Sequence, residues 1–186
     1  MKYRSFIFSV VATALIVFGC GQEELVSPQL TQSEQGAVLA KAVNAGAIKG
    51  PFMATVDLSV VTDEGEVKIV DGKLKVRGQV NEGPFIPGDI EGTATVVTDF
   101  KIDLATGNGP GHGTFTFKVT KVKGQVVSGE WTGRFEGQFG VSGFSGNFNG
   151  EGGGDLEDTT IKGTFTDAPI VDGVFELTGR IKEDDD

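Results

Sequence analysis

Three kinds of side chain in this sequence could do chemistry: one cysteine, one histidine and 26 carboxylates. Cys20 is the sole thiol, so it has no disulfide partner within the chain and cannot supply the paired thiolates of a zinc site. His112 sits in Gly109-Pro110-Gly111-His112-Gly113, among turn-forming residues. A histidine acid/base pair needs a partner held within hydrogen-bond reach, and the expectation here is a non-catalytic histidine at the mouth of a strand. The carboxylates crowd in one place, where Glu151, Asp155, Glu157 and Asp158 surround Gly152-Gly153-Gly154. Oxygen-rich loops with glycines can hold Ca²⁺, so these four are the candidate metal ligands. Their spacing matches neither the EF-hand loop nor the calcium-binding nonapeptide repeat, and the simpler expectation is a solvated acidic loop. No Gly-x-Ser-x-Gly elbow, P-loop or His-Glu-x-x-His helix is present. No catalytic residue is assigned, and the domain is expected to be non-enzymatic.

Cys20 gains meaning from what precedes it. Lys2 and Arg4 form a positive start, and a mostly apolar stretch runs from Phe6 to Phe18. That stretch is shorter than the roughly 20 apolar residues needed to cross a bilayer. It closes on Val17-Phe18-Gly19-Cys20, which resembles the lipobox of bacterial lipoproteins: an aliphatic residue, a tolerant position, a small residue, then cysteine. Phe18 is bulkier than is usual at the tolerant position. The resemblance implies cleavage before Cys20, with a diacylglycerol thioether and an N-acyl chain such as palmitate on it. A single chain binds a membrane only marginally, at about 0.8 kcal/mol per buried methylene, but several chains on one residue hold. The resemblance also implies the bacterial cell envelope. Gly21 is not the aspartate that retains such proteins at the inner membrane, so the outer membrane is expected. Glu23-Glu24 resembles a short export signal of surface-exposed lipoproteins. The alternative is an ordinary secretory signal with an incidental cysteine.

Loss of Lys2 and Arg4 with residues 1–19 leaves 14 basic residues against 26 acidic ones. So acidic a body lacks the cationic surface that nucleic acid requires and is repelled by anionic headgroups. Its membrane partner is therefore reached through the lipid on Cys20. The remaining chain, about 165 residues, suits one domain with a real core.

The elements follow from periodicity. Residues 20–50 read as a polar spacer. Within it, Thr31-Gln32-Ser33-Glu34 matches a capping box ahead of a short helix over Val38, Leu39, Ala42 and Val43. From residue 51 the period becomes two, and 51–182 reads as one β domain, with 183–186 an acidic tail. Asp71-Gly72 signals a hairpin. After it Leu74, Val76, Gly78 and Val80 are expected on one face and Lys73, Lys75, Arg77 and Gln79 on the other. Glu82 to Gly88 is expected as a Pro/Gly loop presenting Phe85 and Ile86, a candidate contact patch that could equally tuck under the domain. Thr106 to Gly113 is expected as a turn.

Glycine, 29 of 186 residues, is about double its usual share. It falls two residues before an aromatic repeatedly, as in Gly113/Phe115, Gly129/Trp131, Gly133/Phe135 and Gly163/Phe165. Positions i and i+2 share a strand face, and the opposite face (Glu130, Thr132, Arg134, Glu136, Gln138) is polar. The aromatics should therefore point inward, where small/large alternation suits a curved, closed sheet. The expected fold is an all-β, antiparallel Gly/Phe-rich β-barrel of about eight strands, with a two-sheet β-sandwich as the alternative. The rhythm of residues 110–182, including Gly154-Asp155-Leu156 and Ile161-Lys162-Gly163-Thr164-Phe165, resembles allene oxide cyclase and dirigent-type barrels. That likeness implies a cyclase or isomerase as one reading. Binding of a small apolar ligand or a protein partner, and a purely structural surface role, are the others.

Overall fold

The computed structural model describes residues 45–168 and 173–183. Cys20, the signal-like segment, the capping box and the tail from 184 lie outside them. A single helical turn, α1 (Ala45–Ile48), leads into ten strands. These are β1 (Gly50–Asp57), β2 (Val60–Asp63), β3 (Glu66–Val70), β4 (Lys73–Ile86), β5 (Ile90–Asp103), β6 (Gly109–Val122), β7 (Gln125–Gly140), β8 (Gly143–Gly154), β9 (Thr159–Asp167) and β10 (Val174–Glu183). The antiparallel order is β1-β10-β9-β8-β7-β6-β5-β4, and β1 pairs again with β4. That last pairing closes a ring of eight strands, so the fold is the barrel rather than the sandwich. The seam is short. Only Thr55↔Ile86 and Val56↔Phe85 join β1 to β4, against eight register pairs between β1 and β10. Beyond the seam, β2 and β3 lie along the rest of β4.

Local chemistry sets the connections. Asp71 (φ 52°) and Gly72 (φ 70°) are both left-handed, the backbone of a two-residue type I′ hairpin. The loop expected at 82–88 is corrected, because β4 continues through Pro84 to Ile86. A side chain on Gly83 would overlap the Asp57 carbonyl. Glycine thus admits the chain where it leaves β1, and β4 need not yield there. The turn expected at 106–113 is also shorter. It spans 104–108, and His112 stands within β6.

Asp103 closes that turn by accepting hydrogen bonds from the N–H groups of Ala105 (3.0 Å) and Thr106 (3.1 Å). These bonds favour the ionised carboxylate and lower its pKa from the usual value of 3.8. The folded value is the depressed one, so the turn's stabilisation is present above the ordinary aspartate range. It is lost as pH falls through the folded value. Amide exchange at Ala105 and Thr106, measured relative to Phe117 in the interior of β6, is therefore expected to accelerate below about pH 4. An unchanged exchange ratio across that range would contradict the capping role.

The glycine–aromatic rhythm works as read, and the register shows how. Phe115 on β6 faces Gly133 on β7, which faces Gly150 on β8. A Cβ on Gly133 or Gly150 would lie 2.7 or 2.8 Å from the Phe115 ring. Phe135 likewise covers Gly113, and Phe148 covers Gly163. Each ring lies across a neighbouring strand where there is no side chain to hold it off.

The two ends of the barrel differ. At the end where β1 begins and β10 finishes, Ile48, Ile90, Val122, Trp131, Leu156 and Ile161 are fully buried. The Trp131 Nε1–H donates to Thr159 Oγ1 (3.0 Å), whose hydroxyl donates to the Leu156 carbonyl (2.6 Å). This packed end is the base, and the opposite end is not filled by the described residues.

Candidate functional site: a phenylalanine-lined cup

The upper half of the barrel encloses a cavity of about 250 Å³, partly open to solvent. Nine phenylalanines line it, joined by Val56, Leu58, Val96 and Leu177. All but Leu58, which follows β1, come from the inward face of a ring strand, as the alternation requires. Phe139 and Phe144 stack at 4.2 Å and 12°, while Phe135 meets Phe165 edge to face at 5.8 Å. Rings held by glycine gaps and by one another form a firm apolar wall.

Four polar side chains interrupt this wall: Gln79, Asn81, Thr98 and Asp167. Strict alternation places Gln79 on the outer face, and the structure corrects this. The strand is re-aimed by a bulge: Val76 pairs with Phe100, but Gln79 pairs with Thr98, one residue out of step. Gly78 permits the irregularity with its left-handed backbone (φ 70°), and Asp99 Oδ1 accepts its N–H at 2.7 Å. Past the bulge, Gln79 and Asn81 point inward. Val80 turns to the outer face with Val97, its partner on β5, which is 36% exposed. Polar-in and apolar-out is the reverse of the pattern elsewhere in this barrel.

The amides are ordered. Asn81 Nδ2 donates to the Leu58 carbonyl (2.9 Å), and Asn81 Oδ1 accepts from Gln79 Nε2 (3.0 Å). A carbonyl only accepts, so the Asn81 orientation is chemically fixed, and through it that of Gln79. Thr98 is 9% exposed and sits opposite Gln79.

The residues singled out from sequence are dispersed. Phe85 is buried (5% exposed) and meets Phe117 edge on at 5.2 Å, so it is core rather than a contact loop. Ile86 alone of that pair is on the surface. His112 is exposed on the outer face, in register with Asp99 and Glu136. Glu151 stands on β8, while Asp155 caps a turn by accepting the Ser128 N–H at 2.7 Å. Among the described residues no three of His, Cys, Asp or Glu come together as metal ligands, Glu151, Asp155, Glu157 and Asp158 included. Trp131 is core. The cup's polar residues escape a reading by periodicity. The available signal is Gly78 inside a strand pattern, which marks a bulge, followed by the polar alternation of Gln79 and Asn81.

No protein-family profile matches the chain, and no curated protein matches it significantly.

Proposed function

We propose that this is an envelope protein tethered by lipid on Cys20, whose barrel binds a small, predominantly apolar ligand in the cup. The carrying observation is the cavity itself: about 250 Å³, phenylalanine-walled and open. A dry apolar cavity of about 150 Å³ admits benzene. In proportion, this one takes on the order of ten non-hydrogen atoms. Burying roughly 250 Å² of apolar ligand surface at about 25 cal/mol/Å² contributes about 6 kcal/mol. After the cost of association this fits a dissociation constant of about a millimolar, and none tighter than tens of micromolar. Binding is preferred to a cyclase-like reaction because Asp167 is the sole ionisable side chain among the described lining residues, leaving no second group for paired acid/base work.

Titration with the neutral fluorophore N-phenyl-1-naphthylamine, whose naphthyl ring matches the cup while its anilino ring extends through the open side, is expected to saturate at one site per chain. Val96→Trp projects bulk into the cup and should weaken binding at least tenfold without lowering the melting temperature. Equal binding by both proteins, or none by either, would refute the cup. The tether is tested separately, by labelling cells with a fatty-acid analogue. Wild type should carry label and fractionate with membranes, and Cys20→Ala should do neither. Label retained by the variant would refute lipidation at Cys20.

A further inference from the structure

The polar interruption of the cup points to the class of ligand. We infer that the occupant is a non-anionic molecule carrying one hydroxyl, which donates to Gln79 Oε1 and accepts from the Thr98 hydroxyl. This rests on the cup being a binding site, and adds what its wall selects.

Three observations carry it. The first is the bulge at Gly78, which turns Gln79 and Asn81 inward and sends Val80 outward. Amides facing an apolar interior, with valines on the surface, break the binary pattern that stabilises a barrel. Such local violations are characteristic of functional sites. The second is the fixed orientation of the amide pair. The chain Gln79 Nε2–H to Asn81 Oδ1, and Asn81 Nδ2–H to Leu58 carbonyl, commits the donors. Gln79 Oε1 is left as an acceptor, and the Thr98 hydroxyl across the register makes no hydrogen bond among the described residues. An acceptor beside a hydroxyl is what a ligand alcohol can satisfy at both its proton and its oxygen. The third is charge. No Lys, Arg or His is among the described lining residues. A carboxylate brought into this wall would lose hydration without a counter-ion, so anionic ligands are disfavoured.

The test uses three probes of one shape (naphthalene, 2-naphthol and 2-naphthoate) as competitors of N-phenyl-1-naphthylamine on the intact protein. 2-Naphthol should bind about fivefold to tenfold tighter than naphthalene, the range set by hydrogen bonds that are otherwise unmade. 2-Naphthoate should be the weakest. Thr98→Val, and separately Gln79→Met, should erase the advantage of 2-naphthol over naphthalene, with naphthalene still displacing the fluorophore from both folded variants. If naphthalene and 2-naphthol compete equally in wild type, or if 2-naphthoate binds best, the inference is overturned while the cup stands. If no probe displaces the fluorophore, the cup itself fails.

Discussion

Trp131→Ala is expected to lower stability by about 3–5 kcal/mol, the largest effect of any single truncation in this barrel. Trp131 is 0% exposed and forms part of the packed base. Its removal opens a void that the surrounding strands cannot collapse into, because their spacing is fixed by the ring. It also deletes the donor to Thr159 Oγ1. A loss of that size corresponds to a drop in melting temperature of roughly 10–20 °C for a domain of this length. Trp131→Phe separates the two contributions, because it retains most of the packing and removes the hydrogen bond, at about 1 kcal/mol. Thr159→Val should cost more than that, since it leaves the indole N–H buried without an acceptor. Thermal unfolding of the three variants checks the order. If Trp131→Ala melts within a few degrees of wild type, the base is not the stabilising centre of the barrel.

Gly133→Ala is expected to be nearly as damaging although it adds one methyl group. A Cβ there would lie 2.5 Å from the Gly150 Cα and 2.7 Å from the Phe115 ring. The first neighbour is backbone and cannot rotate away. β7 and β8 would have to separate, or Phe115 would have to leave its place in the cup wall. Overpacking of a core typically costs about 1–3 kcal/mol, and a clash with backbone belongs at about 3 kcal/mol or beyond. Gly153→Ala is the control, since nothing lies within 4 Å of a Cβ at that position. Chemical denaturation should show a large loss for the first and little for the second. Equal losses would mean that alanine disfavours these strands for a reason other than the ring-over-glycine contact.

The barrel was legible because its signal is long and redundant. Glycine–aromatic spacings recur on strand after strand, with a polar opposite face from Glu130 to Gln138, and a closed sheet buries that many rings on one side. Asp71-Gly72 was legible because a two-residue left-handed turn tolerates few sequences. The cup was not. Periodicity states which residues face inward, not whether they meet in the middle. Its polar side was hidden for a sharper reason: one extra residue at Gly78 inverts every assignment after it, and strict alternation carried Gln79 to the wrong face. Phe85 was misplaced because prolines and glycines at 83–88 look like a loop. The close passage of Asp57 past Gly83 instead allows the strand to continue. The carboxylates around Gly152 are adjacent in sequence, but turn formation uses Asp155 on the Ser128 amide and spreads the rest.

Both described ends of the chain meet at the packed floor of the barrel. Gly50 pairs with Ile181, Lys49 makes an ion pair with Glu183, and Lys123 Nζ holds the Lys49 carbonyl at 2.8 Å. The rim at the other end is made of internal turns. A bead, sensor chip or fusion partner joined directly at either described end, Ala45 or Glu183, would therefore be attached on the floor side. An immobilised cup would be expected to fill from its free side at the same rate whichever end is attached.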